Sequence, residues 1–189
     1  VNASSEENHL VINGMSNHKR DEENANSAIV VQVSNKDFGN NIFDGMNFQR
    51  HLEAKAYSLG NGLIPVQLFS DYENNTISKE FKSVKPIFKG NYKFANINDI
   101  FPEFINNDLK EAINYFNNKI DGFNSGDAII AGVETRTSSP IRIVRGENGM
   151  SNIDGIYPIG EGAGYSGGIT TSAMDGIKIS ELIAKVYKN

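Results

Sequence analysis

A glycine-rich segment near the end of the chain carries the clearest pattern for ligand binding. GEGAGYSGG, residues 160–168, places five glycines in nine residues, between an apolar run and a helical pattern that starts at about Ile169. Glycine permits positive φ and lets a ligand approach the backbone closely. The free amides and partial positive charge at a helix N-terminus favour a phosphate or an electron-rich carbonyl. The pattern therefore predicts a binding turn at the start of a C-terminal helix.

Part of this segment also satisfies GxGxxG, from Gly162 to Gly167. A dinucleotide site of that kind opens a βαβ unit, with a second strand and an acidic residue about 20 positions further on. The residues that follow the predicted helix are too few for a second strand. We therefore expect the turn to serve a site assembled with other sequence. A tight strand-to-helix turn without a ligand remains the alternative.

Two other segments contain residue types suited to chemistry. Arg136 and Arg142 flank a run of hydroxyl side chains in ETRTSSPIR, residues 134–142, and arginine pairs well with carboxylates and phosphates. The alternative is a capped turn whose arginines form surface ion pairs. His18 lies on a polar loop and has the chemistry to move protons, although a solvated charged loop is the more common explanation for such a residue. His9 and His51 have no partner at ligand spacing, so we expect no metal site.

Composition excludes several classes of function. The net charge is -5, acidic and basic residues are interleaved, and we expect no nucleic-acid partner. The lack of cysteine excludes a disulfide framework, a thiolate metal site and a cysteine nucleophile. No apolar run approaches the roughly 20 residues that span a bilayer, and the start has no leader-like pattern. We expect a soluble, cytoplasmic protein without a membrane partner, and the initial valine suggests a cut from a longer polypeptide.

Periodicity predicts a mixed α/β fold. Helical spacing runs from Asp44 to Leu59, from Ile97 to Ile120 and from Ile169 to Tyr187. Strand-like runs are expected at residues 9–12, 28–33, 66–69, 127–133, 141–144 and 156–159, with an irregular or edge segment at 76–94.

Three stretches carry a family resemblance. GVETRTSSPIRI and GIYPIGEGAGYSGGITTSAMDGI resemble the C-terminal signature of the uncharacterised FAD-dependent dehydrogenases, which are NAD(FAD)-utilising relatives of the two-dinucleotide-fold flavoproteins. NGMSNHKRDEENANSAIVV resembles the middle region of that family. The resemblance covers both ends of the chain and, more weakly, the helical middle.

The resemblance implies FAD as cofactor, with NADH or NADPH as electron donor. It places an acidic residue, matched here by Glu161, near the ribityl chain, and it points the helix start at the flavin pyrimidine edge. The implied cofactor-binding residues are Gly160, Glu161, Gly162, Ala163, Gly164, Tyr165, Gly167, Gly168, Ile169, Arg136, Ser138 and Ser139. No catalytic acid or base is implied.

The resemblance also implies a division of the chain. Residues 1–126 form a substrate or cap lobe, and residues 127–189 form the C-terminal segment of an FAD-binding domain whose N-terminal Rossmann part is missing. The chain is then an inactive fragment of an oxidoreductase that acts on a small molecule, with that missing part as its partner. Self-association of the fragment is expected. The alternative function is a non-catalytic nucleotide-binding, phosphate-binding or interaction module.

Overall fold

The computed structural model describes residues 2–3, 6–136, 139 and 141–187. The chain forms two compact units. Unit 1 comprises Val1–Asp37 with Asn47–Thr135, and unit 2 comprises Phe38–Met46 with Arg136–Asn189. The helices are α1 (Asn35–Phe38), α2 (Asp44–Gly60), α3 (Phe69–Glu73), α4 (Glu103–Phe116) and α5 (Ile169–Val186). The strands are β1 (Asn2–Ala3), β2 (Val11–Ile12), β3 (Ile64–Leu68), β4 (Tyr92–Phe94) and β5 (Ile129–Ala131).

The main sheet of unit 1 has β3 at its centre. β4 pairs with β3 in parallel, with Val66 opposite Phe94, and β5 pairs antiparallel, with Val66 opposite Ala131. Every residue of β3 is buried, which suits the apolar sequence IPVQL. The one polar side chain, Gln67, is satisfied: its Oε1 accepts from the Ile97 amide at 2.8 Å and its Nε2 donates to the Thr76 carbonyl at 2.6 Å. A short β1–β2 ladder forms a separate two-stranded sheet.

The core of unit 1 lies against this sheet. Its fully or nearly fully buried members come from the segment before β2, from α2, α3 and α4, from the loop between β4 and α4, and from the chain after β5: Leu10, Leu52, Ala56, Phe69, Tyr72, Ile97, Ile100, Ile113 and Val133. Burial of large side chains of this kind contributes about 1.5–3 kcal/mol each. Unit 1 therefore contains a contiguous apolar core.

Unit 2 contains one long helix, α5, preceded by irregular chain. Its inward positions repeat at helical spacing through Ser172, Asp175, Ile179 and Leu182, and of these only Ile179 is fully buried. Much of the rest of α5 is exposed, including Ile169, Met174 and Ile177. Unit 2 thus has a small apolar interior.

The mixed α/β class is confirmed, as are the helices at α2 and α5 and the strands at β3 and β5. The expected edge segment contains the edge strand β4. The helix predicted from Ile97 begins later, at Glu103, because Pro102 is its N-cap and residues 97–99 form a separate 3-10 turn.

The strands predicted at residues 28–33, 141–144 and 156–159 are wrong, because none of these runs has a strand beside it among the described residues. An apolar run becomes a strand only where a neighbour accepts its backbone hydrogen bonds. The compact units divide after Thr135, and β5 pairs with β3 within unit 1. The division into a cap lobe of residues 1–126 and an FAD-domain segment of residues 127–189 remains a prediction.

Candidate functional site

The glycine-rich turn of unit 2 closes on itself through backbone hydrogen bonds. Residues 161–163 form a 3-10 turn, and the Gly164 amide donates to the Glu161 carbonyl at 2.9 Å. The Tyr165 amide then donates to the Gly160 carbonyl at 3.0 Å. Gly160 and Gly164 have φ of 69° and 81°, a region that favours glycine. The sequence therefore specifies one backbone conformation at this turn.

Gly164 is required by the approach of another stretch of unit 2. A Cβ added there lies 2.6 Å from the carbonyl oxygen of Ile141 and 3.0 Å from Cα of Arg142, closer than packed atoms approach. The Ile143 amide also donates to the Ala163 carbonyl at 3.2 Å. Protein packing thus accounts for this glycine without a ligand.

A nearly buried ion pair fastens the turn to α5. The Arg145 guanidinium donates to both carboxylate oxygens of Asp175, at 2.9 Å and 2.6 Å, and to the Pro158 carbonyl at 2.7 Å. The side chains are 9% and 12% exposed. The Gly160 amide donates to the same carboxylate at 2.9 Å. The hydrogen bond from Arg145 and that amide lower the pKa of Asp175 to about 2, and the bond to Asp175 raises the pKa of Arg145.

Tyr165 stacks against both arginines that follow the ETRTSSP loop. The guanidinium carbon of Arg145 lies 3.6 Å from the ring centroid, and that of Arg142 lies 4.3 Å away. The Tyr165 hydroxyl donates to the Ile143 carbonyl at 3.1 Å and accepts from the Arg145 amide at 3.1 Å. These contacts give Tyr165 and Arg142 roles in holding residues 141–145 against the turn.

Several residues of the turn and of the start of α5 are exposed. Gly162 has nothing within 4 Å of an added Cβ, and Gly167 and Gly168 are also exposed. Ile169, the first residue of α5, is 94% exposed. Thr171 Oγ1 accepts from the Gly168 amide at 3.2 Å, and Ser166 Oγ and Ser172 Oγ are 2.6 Å apart. Open backbone at a helix start fits an electron-rich carbonyl or a phosphate.

The start of the ETRTSSP loop belongs to unit 1 and is held by α2. Gln49 donates to the Thr135 carbonyl at 2.9 Å, and the Thr135 hydroxyl donates to Glu53 at 2.7 Å. Glu53 is fully buried, and Asn13 donates to Glu134 at 3.0 Å. Sequence reasoning missed Gln49 and Glu53. A charged residue on the buried face of α2 was the available signal, since buried carboxylates require partners.

The remaining predicted residues are more scattered. Ser138 lies outside the described residues, and Ser139 Oγ donates to the Ile141 carbonyl at 2.8 Å. Arg136, Glu161 and His18 are exposed. In the described part of the chain, no three His, Cys, Asp or Glu side chains are grouped to hold a metal. No helix within the described ranges is long and apolar enough to cross a membrane.

Unit 1 also has an open pocket of about 370 Å³. Its walls include Asn98 and Asn106, whose side-chain amides already bond to the Tyr72 carbonyl at 2.9 Å and the Asn98 carbonyl at 2.9 Å. Small-molecule sites are mostly apolar with a few convergent polar groups. This pocket is polar and its amides serve the fold, so we assign it no ligand.

Sequence reasoning also missed the Arg145–Asp175 pair, whose members are 30 positions apart. Asp175 shares the inward face of α5 with Ser172 and Ile179. An acidic residue on such a face indicates a buried cation or amide partner. That signal identifies Asp175, whereas only the structure identifies Arg145.

Comparison with known proteins places the chain in a family. Residues 1–137 match the family described as "FAD-dependent protein, C-terminal domain-like". An uncharacterised protein of Clostridium beijerinckii is 46% identical over 191 residues, which cover 99% of this chain and 36% of that relative. The chain therefore spans about a third of the relative's length. The family match includes unit 1 and the start of the ETRTSSP loop, and the relative extends the similarity across the glycine-rich turn. The chain belongs to the family of FAD-dependent proteins, whose C-terminal domain-like region it contains.

Proposed function

We propose that the chain is part of an FAD-dependent oxidoreductase, a dehydrogenase, and that unit 2 completes the flavin site of a longer polypeptide. The observations that carry the proposal are the exposed start of α5 and the open space at Gly162, in a chain of an FAD-dependent family. FAD, when bound, supplies the hydride or electron transfer, and the protein supplies binding, orientation and electrostatics.

The start of α5 is suited to the pyrimidine edge of a flavin. Its exposed amides and the positive end of the helix dipole stabilise negative charge there, which favours the reduced ring. Gly162, Gly167 and Gly168 leave room for the ring to approach the backbone. In this proposal the carboxylate of Glu161, which is exposed, accepts hydrogen bonds from the ribityl hydroxyls.

The Arg145–Asp175 pair acts as a positioning device in this proposal. It joins Pro158 and Gly160 to the middle of α5, so the turn and the helix start keep a fixed geometry. A preorganised helix terminus needs no rearrangement when charge develops.

We assign unit 1 to the substrate side. Gln49 and Glu53 fix the start of the ETRTSSP loop, and the proposal makes Arg136, Ser138 and Ser139 part of the flavin or substrate wall. NADH or NADPH as electron donor and a cytoplasmic location remain predictions.

The proposed partner of unit 2 is an N-terminal FAD-binding part that holds the ADP half of the cofactor. Of the 22 exposed large apolar side chains in the described residues, 13 lie in unit 2, which is the smaller unit. Their exposure in so small a unit supports a partner surface there. The self-association expected of the isolated chain has the same basis.

FAD titration with flavin fluorescence tests the proposal. The 189-residue chain is compared with a chimaera in which it replaces the matched region of the Clostridium beijerinckii protein. We expect saturable binding by the chimaera alone. Within the chimaera, Gly162→Val is expected to weaken FAD binding about tenfold or more, because a side chain fills the open approach. Gly176→Val is the control, since its Cβ also meets open space.

Other outcomes favour the alternative function. Tight binding of ADP or inorganic phosphate by the chain alone, without any affinity of the chimaera for FAD, supports a self-contained phosphate-binding module. Unchanged FAD affinity in Gly162→Val contradicts the role of the turn.

A further inference from the structure

Unit 1 carries a strongly basic surface segment within an acidic protein. Residues 79–93, the lysine-rich segment, contain five lysines, one glutamate and no arginine, which gives a local charge of +4 in a chain of net charge -5. The lysines are Lys79, Lys82, Lys85, Lys89 and Lys93, and all five are exposed. Because they are spaced three or four residues apart, they do not form a run in the sequence.

An aromatic cluster orders this segment. The Phe81 ring lies 5.1 Å from the Tyr92 ring and 4.7 Å from the Phe94 ring, measured between centroids. Phe88 lies 6.1 Å from the same Tyr92 ring. Both ends of the loop before β4 are therefore packed on one strand, and Lys82 and Lys85 lie in the sequence between these two contacts.

The ammonium groups of three of the lysines have no polar partner among the described residues. Lys82 lies 3.7 Å from an Asp127 carboxylate oxygen, and Lys93 donates to the Leu59 carbonyl at 3.1 Å. No described group forms an ion pair or hydrogen bond with the ammonium groups of Lys79, Lys85 and Lys89. Lysine on an edge strand discourages strand pairing, but only Lys93 lies on β4. The other lysines need a different explanation.

Apolar side chains lie among these lysines. Ile87 is 50% exposed and stands in the sequence KPIFK between Lys85 and Lys89. Tyr92 is 42% exposed and lies beside the same loop. An exposed aliphatic side chain with a lysine on each side combines apolar insertion with attraction to anions.

We propose that the lysine-rich segment docks unit 1 on an anionic lipid surface. Four to eight basic residues are typical of segments attracted to anionic membranes, where lysine acts as a point charge. Ile87 and Tyr92 then enter the interfacial layer. A nucleic acid offers no apolar layer in which the exposed Ile87 side chain could be buried. Arginine is the residue suited to bidentate phosphate recognition, and the lysine-rich segment contains none. Lysine is depleted at protein interfaces.

This contact is peripheral and needs no spanning helix. The expectation of no membrane partner rested on the lack of a spanning apolar run and of a leader-like pattern. A structured loop with spaced lysines requires neither. The proposal does not depend on FAD binding, since it concerns unit 1 alone.

Vesicle co-sedimentation of the 189-residue chain tests the proposal. We expect binding to phosphatidylcholine vesicles that contain about 30 mol % phosphatidylserine, and little binding to pure phosphatidylcholine. Raising the salt to about 0.5 M is expected to release the protein, because screening weakens the attraction. No binding to the anionic vesicles overturns the proposal.

Substitutions locate the surface. Each lysine near an anionic surface contributes about fivefold to affinity, so Lys79→Gln, Lys85→Gln and Lys89→Gln together are expected to lower it on the order of a hundredfold. The matched control is Lys36→Gln, Lys55→Gln and Lys119→Gln, which removes the same charge from exposed positions of unit 1. Circular dichroism checks that both variants are folded. Equal losses in the two triple variants overturn the proposal, because net charge alone then explains binding.

The aliphatic side chain distinguishes lipid from other polyanions. Ile87→Ser is expected to lower vesicle affinity several-fold through lost apolar burial, whereas Ile42→Ser, at another exposed position, leaves it unchanged. A duplex DNA of similar charge is tested under the same conditions. DNA binding that matches vesicle binding and is insensitive to Ile87→Ser identifies a nucleic-acid surface and overturns the lipid assignment.

Discussion

The two units of this chain are stabilised in different ways. Of the 17 buried apolar residues in the described ranges, 15 lie in unit 1, whereas unit 2 has only Ala163 and Ile179. Unit 2 is held instead by the Arg145–Asp175 pair, the stacked Tyr165 and the close fit of Gly164 against Ile141. Unit 1 thus depends on packing, and unit 2 depends on a few polar contacts.

This difference is informative about function. Apolar burial is the main favourable contribution to folding, so unit 1 has the means to fold as an independent body. Unit 2 specifies the geometry of one turn in detail while leaving apolar side chains uncovered. That combination suits a surface that is completed by another part of a flavoprotein.

Among the predicted substitutions, Arg145→Met has the largest expected effect, and it destabilises unit 2 while leaving unit 1 unchanged. It leaves the Asp175 carboxylate with little compensation in a nearly buried place, at a cost of about 3 kcal/mol. We expect faster hydrogen exchange in α5 and unchanged exchange in β3. Arg142→Met, which removes the exposed arginine over the same ring, is the control with a small effect. Faster exchange in β3 as well contradicts the independence of the two units.

Lowering the pH tests the contribution of the Arg145–Asp175 pair to stability without a mutation. The pKa of Asp175 is lowered from 3.8 to about 2, so its contribution is complete above about pH 4 and is lost as the pH falls through 2. We expect unit 2 to lose about 2 kcal/mol of stability over this range. Hydrogen exchange of α5 as a function of pH measures it. In Asp175→Asn this part of the pH dependence disappears; its persistence identifies another group.

A matched pair of glycine variants tests whether packing explains the need for glycine at position 164. Gly164→Ala puts a side chain at φ of 81° and against the Ile141 carbonyl, which destabilises unit 2 by about 1–2 kcal/mol or more. Gly162→Ala meets open space and is expected to be nearly neutral. Thermal unfolding compares the two. Equal effects at both positions contradict the packing explanation for Gly164.

Tyr72→Phe has the smallest predicted effect and concerns unit 1. The Tyr72 hydroxyl donates to Asn106 Oδ1 at 2.8 Å, and burial raises the pKa of this tyrosine. Losing one buried hydrogen bond costs about 1 kcal/mol, a small change for a unit held by apolar packing. Urea unfolding measures the change, with Tyr115→Phe, at a mostly exposed side chain, as the control. A loss as large as that of Arg145→Met removes the distinction between the units.

The sequence predicted local elements better than contacts. The apolar spacing of α2 and α5 and the apolar run of β3 identify these elements, because the period of the apolar residues matches the type of secondary structure that forms. Residues 141–144 have the same strand-like composition but lie against the glycine-rich turn. Among the described residues, one backbone hydrogen bond, from the Ile143 amide to the Ala163 carbonyl, joins them to it. Local composition cannot show whether a partner strand is present.

The candidate site was also predicted in part. The glycine pattern located a turn at a helix start, and the structure confirms that position. The pattern did not separate Gly164, which packs on the protein, from Gly162, which faces open space. That distinction depends on where residues 141–142 lie, which is a long-range contact. The role of the turn in binding FAD remains a prediction.

Hydrogen exchange with and without FAD, measured on the chimaera described above, tests the central claim most directly. We predict that FAD protects the amides of residues 161–171, at the turn and the start of α5, while Gly162→Val abolishes this protection. Saturable FAD binding that leaves these amides unprotected contradicts the claim that unit 2 forms the flavin edge.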